Sequence, residues 1–458
     1  MTRPILTFLG GTGTVTGSKF LVQEESTSVL VDAGLYQGVA ELRRKNWQQP
    51  PVDPGELDAV VLTHAHLDHC GYLPRLARDG FRGPVLCTEQ TSDLATIVLQ
   101  DSAHLQEEDA AYANAMGYSK HRPALPLYDE EDVLKLLPQF KPVGYGERVQ
   151  IGPDVAATLR PAGHILGSAT VLLEAGGARA VFSGDLGRPR HPLLPPPAPP
   201  PAADVVVVES TYGDRVHPPQ DPGLLADAVR RTIGRGGTVL IPAFAVDRTE
   251  LVLMELRRLM GKGEIPRVPV YADSPMALAT LRVYRRALHD PALVRVDLPH
   301  GDPFDPGDLH AVHSPAESEQ LNRPGRPCII VSASGMATGG RVVHHLEHQL
   351  ADPRNCVVLT GYQAAGTRGR QLVEGARVLK MHGRYIPVRA EVVEVPHFSV
   401  HADAAEIVAW LRQSPVEPSA VYVVHGEPDA SAALAERIRD ELGWCAAVPR
   451  LGERVRLD

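Results

Sequence analysis

Four side chains of metal-binding type directly follow one apolar strand. The predicted strand AVVLT (59–63) is followed within six residues by His64, His66, Asp68 and His69. Residues two apart in an extended segment point the same way, so His64 and His66 can bind one ion. The turn into the next helix directs Asp68 and His69 elsewhere, towards a second ion. The spacing therefore predicts metal chemistry, and a histidine-rich loop with an aspartate helix cap is the plainer alternative.

Further candidate ligands lie at the ends of other predicted strands or in loops. They are Asp32, His164, Asp185, Glu209, His401 and His425. Alone, His164 would more often be a structural loop histidine and Asp185 a turn cap. Because open α/β sheets bind ligands at the carboxyl ends of strands, the recurrence of such side chains there indicates one shared site. Asp185 could bridge two ions with its two oxygens, whereas we expect Asp32 to hydrogen-bond the ligand loop and orient a histidine.

The elements that must position these residues follow two patterns along the chain. Residues 1–210 predict strand after strand, joined by short turns. Over residues 211–387 strands alternate with helices, which indicates a parallel sheet built from βαβ units. The first pattern returns over 388–458, beginning with EVVEV (391–395). The simplest interpretation is an α/β domain that is interrupted by a second, inserted α/β domain.

Composition indicates a folded enzyme. The 458 residues are 43% hydrophobic and 22% charged. Five cysteines, with no CxxC pair, argue against a disulfide scaffold and a cysteine-based zinc site. We find no apolar run long enough to span a membrane and no secretory signal, so a cytoplasmic location is expected. The net charge of −9 argues against general nucleic-acid coating but permits a local basic cleft.

Taken together, the motifs resemble a known family over essentially the whole chain. HAHLDH, AGHILGSA, FSGDLGR, VVVESTYGDR, FSVHAD and VVHGE, in this order, resemble the metallo-β-lactamase superfamily. PAFAVDRTEL, DSPMALAT, VSASGMATGGRVVHHL and GYQAAGTRGR resemble its β-CASP branch, in particular prokaryotic enzymes similar to the 73-kDa subunit of the cleavage and polyadenylation specificity factor. The resemblance implies a metallo-β-lactamase αββα sandwich formed by 1–210 and 388–458, with a β-CASP α/β domain inserted at 211–387.

The resemblance also implies roles for individual residues, including the binding of two Zn²⁺ ions per chain. The first ion would be held by His64, His66 and His164. The second would be held by Asp68, His69 and His425, with Asp185 bridging the two. The implied catalytic residues are Asp68, Asp185, Glu209 and His401, with His401 protonating the leaving oxygen.

Three arginines of the inserted domain are candidates for RNA binding. Arg248, Arg341 and Arg368 lie in turn-rich segments that resemble the family, and they could contact backbone phosphates. Salt bridges to nearby glutamates are the alternative. Elsewhere in this domain, His344 and His348 are four residues apart on a predicted helix and could share an ion, but a surface or interdomain position is favoured. His382 in KMHG has no clear counterpart in the family.

The implied function is zinc-dependent hydrolysis of RNA phosphodiester bonds, by endonuclease and/or 5′-exonuclease action, in RNA processing or decay. His425 favours RNA, because the DNA-repair branch of the family has an apolar residue at this position. A DNA nuclease of the same superfamily, a catalytically silent scaffold of an RNA-processing complex, and a thiolester or lactam hydrolase are the alternatives. The complete ligand set argues against the scaffold, and the insertion argues against a small substrate. The expected partner is RNA and no membrane; relatives often dimerise, so a homodimer is a further expectation.

Overall fold

The chain forms two compact units in a computed structural model that describes residues 3–50, 52–117, 119–217, 221, 223–295 and 301–457. The first unit comprises Met1–Val216 and Val400–Asp458, and the second comprises His217–Ser399. Within the described ranges, no helix is both long enough and apolar enough to cross a membrane.

The strands are named in chain order. They are β1 (Ile5–Phe8), β2 (Phe20–Glu24), β3 (Thr27–Val31), β4 (Ala59–Val61), β5 (Val85–Cys87), β6 (Phe140–Pro142), β7 (Arg148–Gly152), β8 (Val155–Pro161), β9 (Ala169–Ala175), β10 (Ala178–Phe182), β11 (Val205–Glu209), β12 (Val239–Ala243), β13 (Val270–Ala272), β14 (Leu309–Ala311), β15 (Ile329–Ala333), β16 (Cys356–Leu359), β17 (Val378–Met381), β18 (Arg384–Pro387), β19 (Glu391–Glu394), β20 (Ala420–Val424), β21 (Ala446–Ala447) and β22 (Arg454–Arg456).

The α-helices are named in the same way. They are α1 (Ala40–Lys45), α2 (Leu67–Cys70), α3 (Leu73–Arg78), α4 (Glu89–Met116), α5 (Glu130–Leu136), α6 (Gly223–Gly234), α7 (Arg248–Gly261), α8 (Pro275–Ala287), α9 (Pro315–Gln320), α10 (Arg341–Gln349), α11 (Arg368–Val373), α12 (Ala404–Leu411) and α13 (Pro428–Leu442).

Two seven-stranded sheets pack face to face in the first unit. Their strand orders are β22-β1-β2-β3-β4-β5-β6 and β21-β20-β11-β10-β9-β8-β7. The apolar core between them includes Phe8 and Val31 from one sheet and Leu173 and Phe182 from the other. Because successive strand residues face opposite sides, one residue in two of each strand contributes to this core. The other apolar residues of the strands face away from this core, on the outer faces of the sheets.

Helices cover the outer faces of both sheets. On the second sheet, Val206 and Val208 of β11 pack in one cluster with α12 and α13 residues such as Trp410 and Leu434. On the first sheet, Leu30 is fully buried although it faces away from the inner core. Helix α5 packs against both α3 and α4, and α4 contacts β6. These layers agree with the αββα sandwich that the sequence implied.

The second unit contains a six-stranded parallel sheet with the order β14-β13-β15-β12-β16-β19. Helices α7 to α10 alternate with its strands, as expected for βαβ units. A separate two-stranded antiparallel hairpin is formed by β17 and β18. The alternation predicted from the sequence is therefore confirmed in this unit.

One strand lies in a different sheet from the one that its sequence pattern indicated. The segment EVVEV was grouped with residues 388–458, but β19 pairs in parallel with β16 and extends the sheet of the second unit. Five residues rich in valine fit either sheet, and the choice depends on a partner strand that is distant in sequence. The second unit accordingly runs on to Ser399.

Candidate metal centre

The site residues of the first unit lie where parallel strands end. β3 and β4 are parallel neighbours, and Asp32 and the segment that begins at Thr63 follow them directly. In the other sheet β10, β11 and β20 are also parallel neighbours, so Asp185, Glu209 and His425 leave it at the same edge. The parallel register therefore brings together residues that are up to hundreds of positions apart in sequence.

Four of these side chains form a first cluster, in which the potential ligand atoms all lie within 4.8 Å of one another. Nδ1 of His66 lies 3.1 Å from Nε2 of His64 and 3.2 Å from Nε2 of His164. Oδ2 of Asp185 lies 3.4 Å from Nε2 of both His64 and His164. His64, His164 and Asp185 are buried, and His66 is partly buried. Three imidazoles and one carboxylate of this kind are a common donor set for a transition-metal ion.

A second cluster adjoins the first and shares the carboxylate of Asp185. It contains Asp68, His69 and His425, whose potential ligand atoms also lie within 4.8 Å of one another. Nε2 of His425 lies 3.4 Å from Oδ2 of Asp68. The other oxygen of Asp185, Oδ1, lies 3.1 Å from Nε2 of His69 and 2.9 Å from Nδ1 of His425. Asp185 therefore presents Oδ2 to the first cluster and Oδ1 to the second.

Asp32 and Thr63 set the orientation and the tautomer of two histidines. Asp32 accepts hydrogen bonds from Nδ1 of His69 at 2.7 Å, from the Thr63 amide at 2.8 Å and from the Thr63 hydroxyl at 2.9 Å. Because a carboxylate only accepts, Nδ1 of His69 carries a proton, and in the neutral imidazole Nε2 is the nitrogen whose lone pair is left to bind a metal ion. The Thr63 hydroxyl, which donates to Asp32, accepts in turn from Nδ1 of His64 at 3.0 Å.

The backbone is held in uncommon conformations at two of these positions. Asp32 has φ of 60° and His425 has φ of 50°, in the left-handed region that non-glycine residues rarely occupy. Close packing next to them also requires a glycine, since a Cβ on Gly34 would lie 1.6 Å from the carbonyl oxygen of Asp68. Strained residues of this kind persist only where the surrounding contacts hold them, and they concentrate at functional sites.

Glu209 and His401 form a third group beside the first cluster. Nδ1 of His401 lies 3.1 Å from Oε1 of Glu209 and 3.9 Å from Oδ2 of Asp185. The amides of Leu186 and Thr211 donate to the two Glu209 oxygens at 2.7 Å and 3.2 Å, which fixes this buried carboxylate. The His401 side chain is 16% exposed, whereas that of Glu209 is fully buried. His401 is therefore the member of this group that solvent or a substrate can reach.

Burial sets the charge of the first three histidines. It lowers the pKa of His66 to about 3, with the nearby His64 ring adding to the effect. Burial also lowers the pKa of His64, and together with His401 it holds that of His164 well below its usual value. These imidazoles are therefore neutral near pH 7, which is the form in which histidine binds metal ions.

The second cluster and His401 have the opposite tendency. Burial alone would lower the pKa of His425, but the Asp185 and Asp68 carboxylates raise it to about 10. Burial is likewise outweighed at His69, where Asp185 and Asp32 raise the pKa well above its usual value. Burial alone would lower the pKa of His401, but Glu209 and Asp185 outweigh it and raise the pKa above its usual value. The carboxylates of Asp185, Asp68 and Asp32 therefore favour positive charge at the second cluster.

Some potential metal-ligand atoms of the two clusters have no hydrogen-bond partner. Within the described part of the chain, Asp185 Oδ1, His69 Nε2 and His425 Nδ1 are buried and make no hydrogen bond, despite their short separations. Buried polar atoms without a partner are costly, so three of them around one point call for a ligand. The residues present therefore fit a metal centre, and nitrogen with carboxylate donors suits zinc.

The three candidate RNA-binding arginines lie in the second unit, where their side chains make internal contacts. Arg341 forms an ion pair with Asp273 at 2.7 Å and donates to the His313 carbonyl at 2.9 Å. Arg368 donates to the Ala337 and Thr338 carbonyls, and the buried Arg248 donates to the Thr360 carbonyl. These contacts are to an aspartate and to backbone carbonyls, not to the nearby glutamates of the alternative interpretation. Their binding of RNA stays a prediction.

Thr63 is a site residue that the sequence analysis missed. Its hydroxyl joins Asp32 to His64, and its amide contacts the same carboxylate. A threonine at the end of an apolar strand is common and carries no signal of its own. Its position directly before the His64 motif is the one feature that could have indicated it.

The sequence matches three family descriptions over successive stretches of the chain. The description "Metallo-beta-lactamase superfamily" matches residues 13–242, and "Beta-Casp domain" matches residues 249–372. The description "Zn-dependent metallo-hydrolase RNA specificity domain" matches residues 385–449. Together they contain every candidate ligand and catalytic residue named above.

Several curated proteins are similar over nearly the full length of the chain. A Thermus thermophilus protein named as a ribonuclease is 38% identical over 450 residues, which cover 97% of this chain and 98% of that protein. An RNase J-like protein of Methanocaldococcus jannaschii is 33% identical and covers 98% of both chains. The transcription termination factor FttA of Pyrococcus horikoshii is 34% identical and covers 99% of this chain and 71% of that protein. A crystal structure of an Enterococcus faecalis protein of unknown function matches with a TM-score of 0.56 at 14% identity over 99% of this chain and 100% of that one, which supports the fold alone.

Proposed function

This chain belongs to the metallo-β-lactamase superfamily and contains its β-CASP domain, and we propose that it is a metal-dependent ribonuclease that hydrolyses RNA phosphodiester bonds. The observation that carries the proposal is the pair of donor clusters that share Asp185, with the Glu209–His401 pair beside them. The similarity to proteins named as a ribonuclease and as RNase J-like supports RNA as the substrate.

The metal centre is proposed to hold two Zn²⁺ ions. His64, His66 and His164 would hold one ion, Asp68, His69 and His425 the other, and Asp185 would contact both. When bound, two such ions supply Lewis-acid chemistry, since they lower the pKa of water and stabilise negative charge on a phosphoryl group. Their four positive charges exceed the two negative charges of Asp68 and Asp185, so the site suits an anionic phosphodiester.

His401 is proposed to act as the general acid. Attack of hydroxide on phosphorus breaks the bond to the 3′ oxygen, which takes a proton from His401 and leaves a 5′-phosphate and a 3′-hydroxyl. Glu209 holds Nδ1 of His401, so the proton that is transferred is the one on Nε2. The pKa of His401, which Glu209 and Asp185 raise against the effect of burial, favours the protonated form that a general acid requires.

The proposed activity is tested by incubating the protein with end-labelled RNA and with DNA of the same sequence, with and without a chelator. We expect cleavage of RNA that the chelator abolishes and that added zinc restores. Preferred cleavage of DNA would support the DNA-nuclease alternative, and cleavage of neither would support the scaffold. An Asp58→Asn variant, changed on the exposed surface of the same unit, serves as a control that should retain activity.

Substrates with a 5′-monophosphate or a 5′-triphosphate then separate the two modes of cleavage. A 5′-exonuclease releases mononucleotides and responds to the 5′ end, whereas an endonuclease releases internal fragments from both substrates. Both modes use the same catalytic groups, so the pattern of products is required to choose between them.

Two further features of the proposal concern the cell and the assembly. A cytoplasmic location is supported by five cysteines without a disulfide, four of them buried. A homodimer is proposed from the resemblance alone, and sedimentation velocity of the full chain would test it.

A further inference from the structure

Three metal-competent side chains meet in the second unit, outside the catalytic clusters. His344 and Glu347 lie on α10, and His382 lies in the turn between β17 and β18. Their potential ligand atoms all lie within 4.8 Å of one another. Two imidazoles and one carboxylate are a donor set that transition-metal ions bind well.

Direct contacts join these three side chains. Nδ1 of His382 lies 2.8 Å from Oε2 of Glu347, and the His344 and His382 rings stack with their centroids 4.6 Å apart. The His382 side chain is 39% exposed, so an ion can reach it from solvent, whereas Glu347 is 13% exposed. The exposed Arg384 guanidinium lies 3.6 Å from the other Glu347 oxygen, and its charge competes with a cation there.

One of the three histidines of α10, His344, belongs to this group. His344 and Glu347 are three residues apart and so share one face of α10. His345 points into the unit, where it contacts the buried Asp273 at 2.6 Å. Nδ1 of His348 donates to the His344 carbonyl at 2.8 Å. The spacing in sequence pairs His344 with His348. In the structure, the ring beside His344 is instead that of His382.

The hairpin holds His382 in the left-handed backbone region. His382 has φ of 44° and Gly383 has φ of 78°, which is the pattern of a tight two-residue hairpin turn. Asparagine and glycine are the commonest residues in such a turn, and histidine is also tolerated in this backbone region. The turn directs its ring onto α10, where it stacks on His344.

We propose that His344, Glu347 and His382 form a second metal site, which binds one divalent transition-metal ion such as Zn²⁺. The ion fastens the β17–β18 hairpin to α10. Two nitrogen donors favour zinc, nickel or copper over magnesium or calcium, which prefer oxygen. Donor atoms around a tetrahedral zinc ion are separated by about 3.3 Å, so the exposed histidines need to shift by on the order of 1 Å to bind it.

The zinc content of the full chain tests this site. Chelator-treated protein is dialysed against buffered free zinc, and bound zinc is measured by mass spectrometry for the original chain and for three variants. We expect His344→Ala and His382→Asn each to bind one equivalent less than the original chain, since asparagine tolerates the turn. His348→Ala removes a histidine of the same helix that lies outside the group, and it should bind as much as the original chain. Equal zinc content in all four proteins, or an equal loss in His348→Ala, would overturn the proposal.

Hydrogen exchange locates the bound ion. Zinc should slow amide exchange over residues 378–387 in the original chain and leave it unchanged in His344→Ala, a substitution on an exposed helical face. Slowing of equal size in both proteins would mean that zinc acts from another site, and the proposed site would be rejected. Both measurements compare variants of this site alone, so they hold whether or not the catalytic proposal is correct.

Discussion

Replacement of Asp32 by asparagine tests how the metal centre controls its histidines. Asp32 is fully buried and accepts three hydrogen bonds, from Nδ1 of His69 and from the amide and hydroxyl of Thr63. Asparagine keeps the volume of the side chain but replaces one accepting oxygen with an NH₂ donor. Because the Thr63 amide requires the remaining oxygen, the new donor faces His69.

The expected effect on metal binding follows from this change. A donor opposite Nδ1 of His69 moves the imidazole proton to Nε2, the atom that faces Asp185 at 3.1 Å. A protonated Nε2 cannot bind a metal ion, so binding must first reverse the tautomer or break the new hydrogen bond. Changes to the partners of ligating histidines typically weaken metal affinity by about 10–100-fold. This loss corresponds to about 1.4–2.7 kcal/mol of binding free energy.

Competition with a chromophoric zinc chelator measures this affinity directly. Asp58→Asn is the matched control, because Asp58 also accepts a backbone hydrogen bond, from Ser28 at 2.8 Å, but lies on the exposed surface outside the two clusters. We expect weaker zinc binding in Asp32→Asn alone, with circular dichroism unchanged in both variants. Equal affinity in the two variants would refute the argument that Asp32 sets the tautomer of His69.

Three further substitutions or conditions probe the catalytic group and the RNA contacts. His401→Ala should lower turnover by about 10²–10⁴-fold with full zinc content, because it removes the general acid; parallel loss of zinc would identify His401 as a ligand instead. Zinc affinity should rise as the pH increases towards about 10, because bound zinc must displace the proton that Asp185 and Asp68 hold on His425 against the effect of burial; calorimetry that finds no proton release would contradict this. Arg368→Gln should reduce the slope of log affinity for RNA against log salt by about 0.7 if Arg368 contacts one phosphate, and an unchanged slope would restrict it to its carbonyl contacts.

Much of the site could be predicted from the sequence, because the ligands follow strands that are themselves recognisable. His64 to His69 form a compact motif, and Asp185 and His425 each follow an apolar strand that is confirmed in the structure. The expectation that strand ends converge required only that the strands that precede the ligands run in parallel. It did not require knowledge of which strands are neighbours.

The remaining features depend on contacts that sequence patterns do not encode. β19 is a short valine-rich strand, and its place beside β16 is decided by pairing with a distant segment. Thr63 acts through a hydroxyl whose partners are fixed only by the turn around Asp32. His344 was considered with His348, but the ring that stacks on it belongs to His382, in a hairpin that is distant along the chain. In each case a tertiary contact, rather than local spacing, selects the partner.

Anomalous X-ray diffraction from crystals of the zinc-loaded protein, recorded on both sides of the zinc absorption edge, tests the central claim most directly. We predict two strong zinc peaks in the first unit, one beside His64, His66 and His164 and the other beside Asp68, His69 and His425. The Asp185 carboxylate should contact both peaks. A single peak in this unit, or two peaks of which only one contacts Asp185, would contradict the proposed metal centre.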